Sequence, residues 1–264
     1  MKSMKARSIL ILISSIVISL MLANISDAKI DSETIIAMWL FDDGDGAVVT
    51  DSSGNGYDGE IKGNASWDNG KFGGALGFDG VGAHVNAGVI PLPSDQVTAC
   101  VWVYTDSAAG DWTHVLENGA VENLWLCSFR LELGPAEGQY YVAIGDAGAY
   151  ADNDPNGVDI GWKYKEWQHL AFTFDGSVGC TYLNGNEVDS FGSDLSISAG
   201  AGTVIIGSLQ GTQRYYNGLV DEIVIFDDVL GEADIKRVLK GMASVMAVSP
   251  AGKLAATWSS VKTQ

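Results

Sequence analysis

The chain has 264 residues, 47% of them hydrophobic and 18% charged, with a formal net charge of −18 at pH 7. Such acidity repels phosphate backbones and anionic headgroups, so nucleic acid and membrane surfaces are excluded as partners; it serves solubility and equally offers carboxylates for Ca²⁺. Three cysteines (Cys100, Cys127 and Cys180) exclude a complete disulfide framework, and their wide spacing beside only three histidines argues against zinc, leaving buried thiols as the default.

Lys2, Lys5 and Arg7 precede an apolar run from Ile9 to Leu22, and Ser26-Asp27-Ala28 places small residues where a cut after Ala28 needs them. Residues 1–28 are therefore predicted to be a signal peptide of a secreted, periplasmic or cell-surface protein, with no membrane insertion after cleavage. The run falls short of the ~20 apolar residues of a span, and an uncleaved anchor is the alternative. Cleavage would remove three positive charges and one negative one, leaving the mature chain more acidic still.

From residue 29 the sequence reads as one domain, 29–242, followed by an Ala/Ser/Thr-rich segment, 243–264, expected to be a loosely ordered tail. Short β-rich runs recur between Gly- and Asn-bearing turns, the pattern of an all-β sandwich. Strands are predicted at Ile35–Phe41, Ala75–Phe78, His84–Ala87, Val97–Thr105, Val115–Asn118, Leu124–Leu133, Tyr140–Ile144, Gln168–Phe174, Cys180–Leu183, Thr203–Ile206 and Gly218–Phe226. In the fourth run Val97, Ala99, Val101 and Val103 alternate with Thr98, Cys100, Trp102 and Tyr104, both sets fairly apolar, as in a mid-sandwich strand whose outer face is part of a concave surface. Asn184-Gly185 is a two-residue hairpin signal. A single helix is expected over Gly231–Leu239, where Ile235, Val238 and Leu239 share one face and basic residues follow. The core is expected to include Trp39, Phe41, Leu76, Phe78, Val101, Val103, Leu170, Phe172, Phe174, Ile205, Ile223 and Ile225, with Trp67, Trp102 and Trp167 also packed.

Several motifs stand in a fixed order: Met38-Trp39-Leu40-Phe41-Asp42, the D-x-S-G-N-x-x-D-G loop from Asp51 to Gly59, and G-x-A-L-x-F-D-G from Gly73 to Gly80. T-x-x-x-W-V from Thr98 to Val103 follows, then W-x-H-L-A-x-T-x-D-G from Trp167 to Gly176 and Y-x-N-G from Tyr182 to Gly185. The last is G-x-x-D-E-x-x-I-F from Gly218 to Phe226, before the helix. Together, over Ile35 to Leu239, they resemble the bacterial laminin-G-like jelly-roll family of the concanavalin A-like lectin/glucanase superfamily. The resemblance implies a two-sheet antiparallel jelly-roll sandwich with one short C-terminal helix. It also implies a discrete lectin-like binding or accessory domain, often calcium-containing, of exported proteins.

Glycanases of that superfamily set their carboxylates on one strand in an E-x-D-x-x-E pattern, which this sequence lacks; Glu117 to Glu122 has the end glutamates without the central Asp. No G-x-S-x-G elbow occurs, and His169 reads as a structural, hydrogen-bonded residue. The chain is therefore expected not to be an enzyme, with Glu132 and Glu117 the candidates if it is one. Ca²⁺ is the candidate cofactor. The resemblance places the first and last strands side by side, which brings Asp42 and Asp221 to one rim, with Asp51 next; ordinary Asx-turn chemistry explains the same residues without metal. Loop-borne aromatics stack on sugar rings, and Tyr150, Trp162, Tyr215 and Tyr216 are the candidates for a ligand surface, with Trp112 and Trp125 nearby in sequence; core packing is the competing role. The expected function is a non-catalytic recognition module binding extracellular carbohydrate or protein. A glycan-cleaving hydrolase and a structural cell-surface assembly protein are the alternatives.

Overall fold

The structure is a computed structural model, and it describes residues 30–93, 95–107, 111–119, 127–146, 149–197 and 202–246. The predicted signal segment, Trp125, the start of the strand expected from Leu124 and the tail beyond Met246 lie outside the described residues.

From Asp31 onward the chain forms two antiparallel sheets, with strands numbered here in chain order. In the first, the order is β15 (Asn186–Gly192), β14 (Val178–Leu183), β13 (Trp167–Phe174), β7 (Val97–Thr105), β17 (Asn217–Phe226), β5 (Gly74–Asp79) and β4 (Ser66–Asn69), with β1 (Ile35–Trp39) beside β17. The second runs β11 (Ala149–Asp152), β10 (Gln139–Asp146), β9 (Cys127–Leu133), β8 (Thr113–Gly119), β16 (Thr203–Ile206), β6 (His84–Val89), β3 (Gly59–Lys62) and β2 (Val48–Val49), with β12 (Val158–Asp159) beside β10.

Period-two alternation explains the packing. Val97, Ala99, Val101 and Val103 of β7 face Phe129, Leu131 and Leu133 of β9 and Val204 and Ile206 of β16 across a shared core. Every core residue expected from sequence is there except Ile205, which is buried on the opposite face of its sheet because Val204 and Ile206 take the inward positions. Fully burying one such side chain stabilises the fold by ~1.5–3 kcal/mol. Trp39 and Trp102 are buried, while Trp67 and Trp167 are only half-buried. Asn184 and Gly185, at φ 51° and 80°, make the tight β14–β15 turn that the Asn-Gly pair signals.

The helix expected at Gly231–Leu239 is α1 (Glu232–Val238). A second helix, α2 (Met242–Met246), occupies the start of the segment read as a tail, because Met242 and Met246 have apolar surface to bury. Its first N–H, on Met242, donates to the Glu222 carboxylate.

Two features position the functional groups. β17 is shared lengthwise: Asn217–Val220 pair with β5, and Ile223–Phe226 pair with β1. Between them a bulge, with Glu222 at φ 47°, turns consecutive acidic residues to one rim. The second feature is the outer face of the second sheet, which carries polar side chains in register across its strands.

Candidate functional site

On β9, Phe129, Leu131 and Leu133 point inward, so Ser128, Arg130 and Glu132 point outward. Register extends this row across the sheet as Asp152, Ala143, Arg130, Glu117, Ile205, Asn86 and Glu60. Beside it Tyr141, Glu132 and His114 form a second row. A bulge between His114 and Leu116 lets His114 and Glu117, three residues apart, share that face.

These side chains form one connected network. His114 sits between two carboxylates, Nδ1 at 3.1 Å from Glu117 Oε2 and Nε2 at 3.3 Å from Glu132 Oε1. Carboxylates only accept, so with both ring protons in place the Glu117 contact is a hydrogen bond and the Glu132 contact an ion pair. Burial alone would lower its pKa; the bonds to Glu117 and Glu132 outweigh that and raise it. Arg130 Nε lies 2.9 Å from Glu132 Oε1, and Arg214 reaches Glu132 Oε2 at 3.0 Å. Burial pushes the Glu132 carboxyl up, but His114, Arg130 and Arg214 together hold it below its ordinary value. Arg130 also donates to the Tyr141 hydroxyl at 3.1 Å, which donates in turn to Asp152 Oδ2 at 3.0 Å. The remaining Glu117 oxygen accepts from the backbone N–H of Gln210 at 2.6 Å, tying in the loop that carries Arg214 and Tyr215.

Aromatic rings rim the network. The Arg130 guanidinium lies 5.2 Å from the Tyr141 ring and 5.7 Å from the Tyr150 ring, and Trp112 meets Tyr141 edge to face at 5.7 Å. Tyr150 is 50% exposed, whereas His114, Glu117, Arg130 and Glu132 are buried.

At the rim of the first sheet, Asp42 Oδ1 accepts from Gly74 N–H and Asp221 Oδ2 from Phe72 N–H, both at 2.8 Å. Burial, reinforced by Glu222 and Asp42, pushes Asp221 up to about 8; burial and Asp42 push Glu222 up to about 7. Asp221 Oδ1 is buried with no hydrogen-bond partner among the described residues. A Cβ on Gly70 would lie 2.6 Å from Asp221 Oδ2, and one on Gly73 2.2 Å from Asp42 Oδ1, so the loop is fitted closely around both carboxylates. Among the described residues no group of three His, Cys, Asp or Glu side chains is arranged to hold a metal. Hard carboxylate oxygens with one left unbonded still suit a Ca²⁺ site completed by backbone carbonyls and water. Asp51 is different. Its two oxygens take four donors, Met38 N–H, Ser53 N–H, the Ser53 hydroxyl and Tyr57 N–H, so the carboxylate is spent on tying β1 to the following loop.

Residues 79–236, more than half of the chain, match the family profile Laminin_G_3, described as the concanavalin A-like lectin/glucanases superfamily. The chain belongs to this superfamily. No curated protein sequence matches it. Among solved structures it is similar to domain 4 of AbnA, an extracellular arabinanase from Geobacillus stearothermophilus crystallised with arabinotriose; the TM-score is 0.61 at 23% identity, covering 77% of this chain and 97% of that one. It is also similar to the binding domain of Paraclostridial Mosquitocidal Protein 1 (0.61, 14%, covering 80% and 53%) and to a Trypanosoma rangeli sialidase mutant displaying trans-sialidase activity (0.60, 17%, covering 83% and 34%). The chain thus spans about half of the toxin domain and a third of the sialidase, and these likenesses concern the fold.

In this laminin-G-like sandwich the aromatic candidates divide. Tyr150 is exposed on β11, and Tyr215 is half-buried, its ring 6.2 Å from His84 and its hydroxyl donating to Gly211 O at 2.9 Å. Trp162 and Tyr216 do not offer a ligand surface. Trp162, 1% exposed, donates its indole N–H to Gln139 O at 2.8 Å, and Tyr216 shares a 3.0 Å hydrogen bond with the Thr105 hydroxyl; both rings belong to the core with their polar ends satisfied. His169 is buried and structural, as expected, but its ring nitrogens lack hydrogen-bond partners among the described residues; the ring packs edge-on to Trp102 at 5.4 Å, and burial lowers its pKa to about 3. Cys100 and Cys127 are buried free thiols and Cys180 is partly exposed. Sequence reasoning missed Arg130, His114, Tyr141 and Arg214. The alternation Ser128-Phe129-Arg130-Leu131-Glu132-Leu133 was the available signal for Arg130; the β8 bulge concealed His114.

Proposed function

We propose that this chain is an exported, non-catalytic recognition module that binds extracellular carbohydrate through the outer face of its second sheet, near Tyr150, Tyr141, Trp112, Asp152 and Arg214. The observation that carries the reading is the Tyr150 ring, half exposed and backed by the Arg130 guanidinium, beside planar polar groups fixed by a buried network. An aromatic plane next to pre-oriented hydrogen-bonding groups suits a sugar ring, whose apolar face stacks while its hydroxyls bond. The basic and apolar start of the sequence supports export. Among the described residues no helix is long and apolar enough to cross a membrane.

Electrostatics speak against Glu132 as a general acid. A glycosidase general acid needs a carboxyl raised toward neutral pH. Glu132 is held the other way, and both it and Glu117 are occupied by His114. Ca²⁺ at the Asp42 and Asp221 rim is proposed as a structural cofactor; there it would relieve the repulsion among Asp42, Asp221 and Glu222. A glycan array run beside a reducing-sugar release assay on the same polysaccharides tests the reading. Binding without release supports it. Release that disappears in Glu132→Gln overturns it in favour of a hydrolase, and silence in both assays favours a structural role in an assembly.

A further inference from the structure

Resting on the reading of this face as the recognition surface, we infer that His114 is a positioning residue for it. With both ring protons in place, His114 clamps the loop between β16 and β17 to the sheet, and so makes recognition depend on pH. That loop, residues 207–216, brings Arg214 and Tyr215 to the outer face. Its backbone is held against its own preference. Gly207, Gln210, Gly211 and Arg214 stand at φ 85°, 51°, 70° and 52°, and non-glycine residues keep left-handed values only where their surroundings enforce them. Within the loop Leu209 pairs with Gln213, the Gly211 N–H donates to the Ser208 hydroxyl, and the Tyr215 hydroxyl donates to Gly211 O. These bonds shape the loop; fastening it to the sheet needs others.

Two such fastenings run through His114. Its backbone N–H donates to Arg214 O at 3.0 Å, on the second half of the loop. Its ring, 3.1 Å from Glu117 Oε2, orients the carboxylate whose other oxygen takes the Gln210 N–H at 2.6 Å, on the first half. Nε2 faces Glu132, the carboxylate that Arg214 also reaches. A neutral imidazole keeps one N–H, so it serves one carboxylate and turns a lone pair to the other. The loop, already off its preferred backbone, is the part that yields. Among the described residues the charged groups that meet the ring directly or through Glu132 are Glu117 from β8, Glu132 and Arg130 from β9, and Arg214 from the loop. Both arginines stay charged, and Glu132 is held below its ordinary value against its burial. Burial pushes the nearby Cys127 thiol up to about 12 and raises the Tyr141 hydroxyl as well. Burial opposes the charged form of His114, yet Glu117 and Glu132 raise it above its ordinary value. The clamp is therefore complete below about 6.5, where a released imidazole titrates, and weakens as pH rises through the folded value.

Amide hydrogen exchange of the full chain, followed by NMR from about pH 6 to about pH 9, tests the clamp without any ligand. The Gln210 and His114 amides report its two halves, read relative to the β13 amides so that whole-molecule unfolding cancels. Their protection should fall by up to about tenfold per pH unit above about 6.5. In His114→Gln, protection at both positions should be low at every pH, with no such fall. Glu117→Gln keeps an acceptor for Gln210 N–H but removes one of the ring's carboxylates, so the His114 titration and the loop transition should move together to lower pH. This second variant decides the matter if His114→Gln does not fold. Flat protection in the parent, or a loop transition that stays in place while the ring titration moves, would overturn the inference. The glycan array, probed at about pH 6 and about pH 9, separates the inference from the reading it rests on. Signal lost at the higher pH in the parent, and weak at both in His114→Gln, supports the inference. Equal signal at both pH values in the parent would overturn pH-dependent recognition. An array empty at both, with the loop responding, would overturn the carbohydrate reading and leave the clamp standing.

Discussion

Two regions of this sandwich bury carboxylates, and they arrive at opposite electrostatic states. On the outer face of the second sheet, Glu132 is buried yet held ionised, because His114, Arg130 and Arg214 all donate to it or face it. At the rim of the first sheet, Asp221 and Glu222 are buried beside Asp42 and pushed up to about 8 and 7. Burial acts in the same direction in both places. The partners decide the outcome, since desolvation raises a carboxyl and an adjacent cation lowers it. The first region is complete as it stands and serves to fix other groups. The second is arranged as though one more positive charge belongs to it.

The largest expected effect follows from breaking the compensated region. Glu132→Ala leaves Arg130, Arg214 and His114 without their shared carboxylate, and breaking a buried pair costs about 3–5 kcal/mol. Urea unfolding should report that loss. Glu222→Gln, by contrast, removes a strained charge and keeps an acceptor for Met242 N–H, so its stability should change by less than about 1 kcal/mol. Equal losses in the two variants would end the comparison.

Next comes the cation. Excess Ca²⁺ should raise the melting temperature, with linkage giving about 2.7 kcal/mol at a hundredfold excess over Kd. Asp221→Asn should abolish that response and, in chelator, should be no less stable than the parent. A Ca²⁺ response surviving in Asp221→Asn would move the site elsewhere.

A smaller effect is pH dependence, read against His114→Gln. His114 has a folded pKa above its unfolded value, so its contribution is fully present below about 6.5 and is lost as pH rises through the folded value. Glu132 is depressed, so its contribution is present above about 4.3 and is lost as pH falls through its folded value. Unfolding free energy should therefore fall as pH rises in the parent, Asp221 and Glu222 acting in the same direction through their raised values, and the fall should be smaller in His114→Gln. An unchanged alkaline profile in the variant would remove His114 from the account. The smallest effect concerns the surface: Tyr150→Ala should alter stability by no more than about 0.5 kcal/mol, since the ring is half exposed and its one cation contact, with Arg130, is at 5.7 Å.

How far the sequence disclosed this arrangement follows from local pattern. Strands β7 and β16 were legible to the residue, β16 because it is wholly β-branched and β7 because β-branched and aromatic residues dominate it in strict alternation. The pairing of β1 with β17, implied by the family resemblance, is present and does bring Asp42 and Asp221 together. Strands such as β4, Ser66–Asn69, and β12, Val158–Asp159, were not legible, since they are short and polar and owe their form to a neighbour's ladder. Trp162 and Tyr216 looked like surface residues because loops surround them in sequence, but each ring turns inward once a backbone carbonyl or a hydroxyl takes its polar end. The network on the outer face was hidden for another reason. Glu117 and Glu132 are visible singly, but their meeting at His114 requires the β8–β9 register and a bulge that periodicity does not announce.

The central claim is that ligand recognition belongs to the compensated region and that the rim serves stability. The most direct measurement is NMR chemical-shift mapping on the full chain as the glycan selected by the array is added, in saturating Ca²⁺. Shifts should concentrate at Trp112, Tyr141, Tyr150, Asp152 and Arg214 and leave Asp42, Phe72 and Asp221 unmoved. Shifts centred on the Asp42 and Asp221 rim, with Tyr150 silent, would contradict the account.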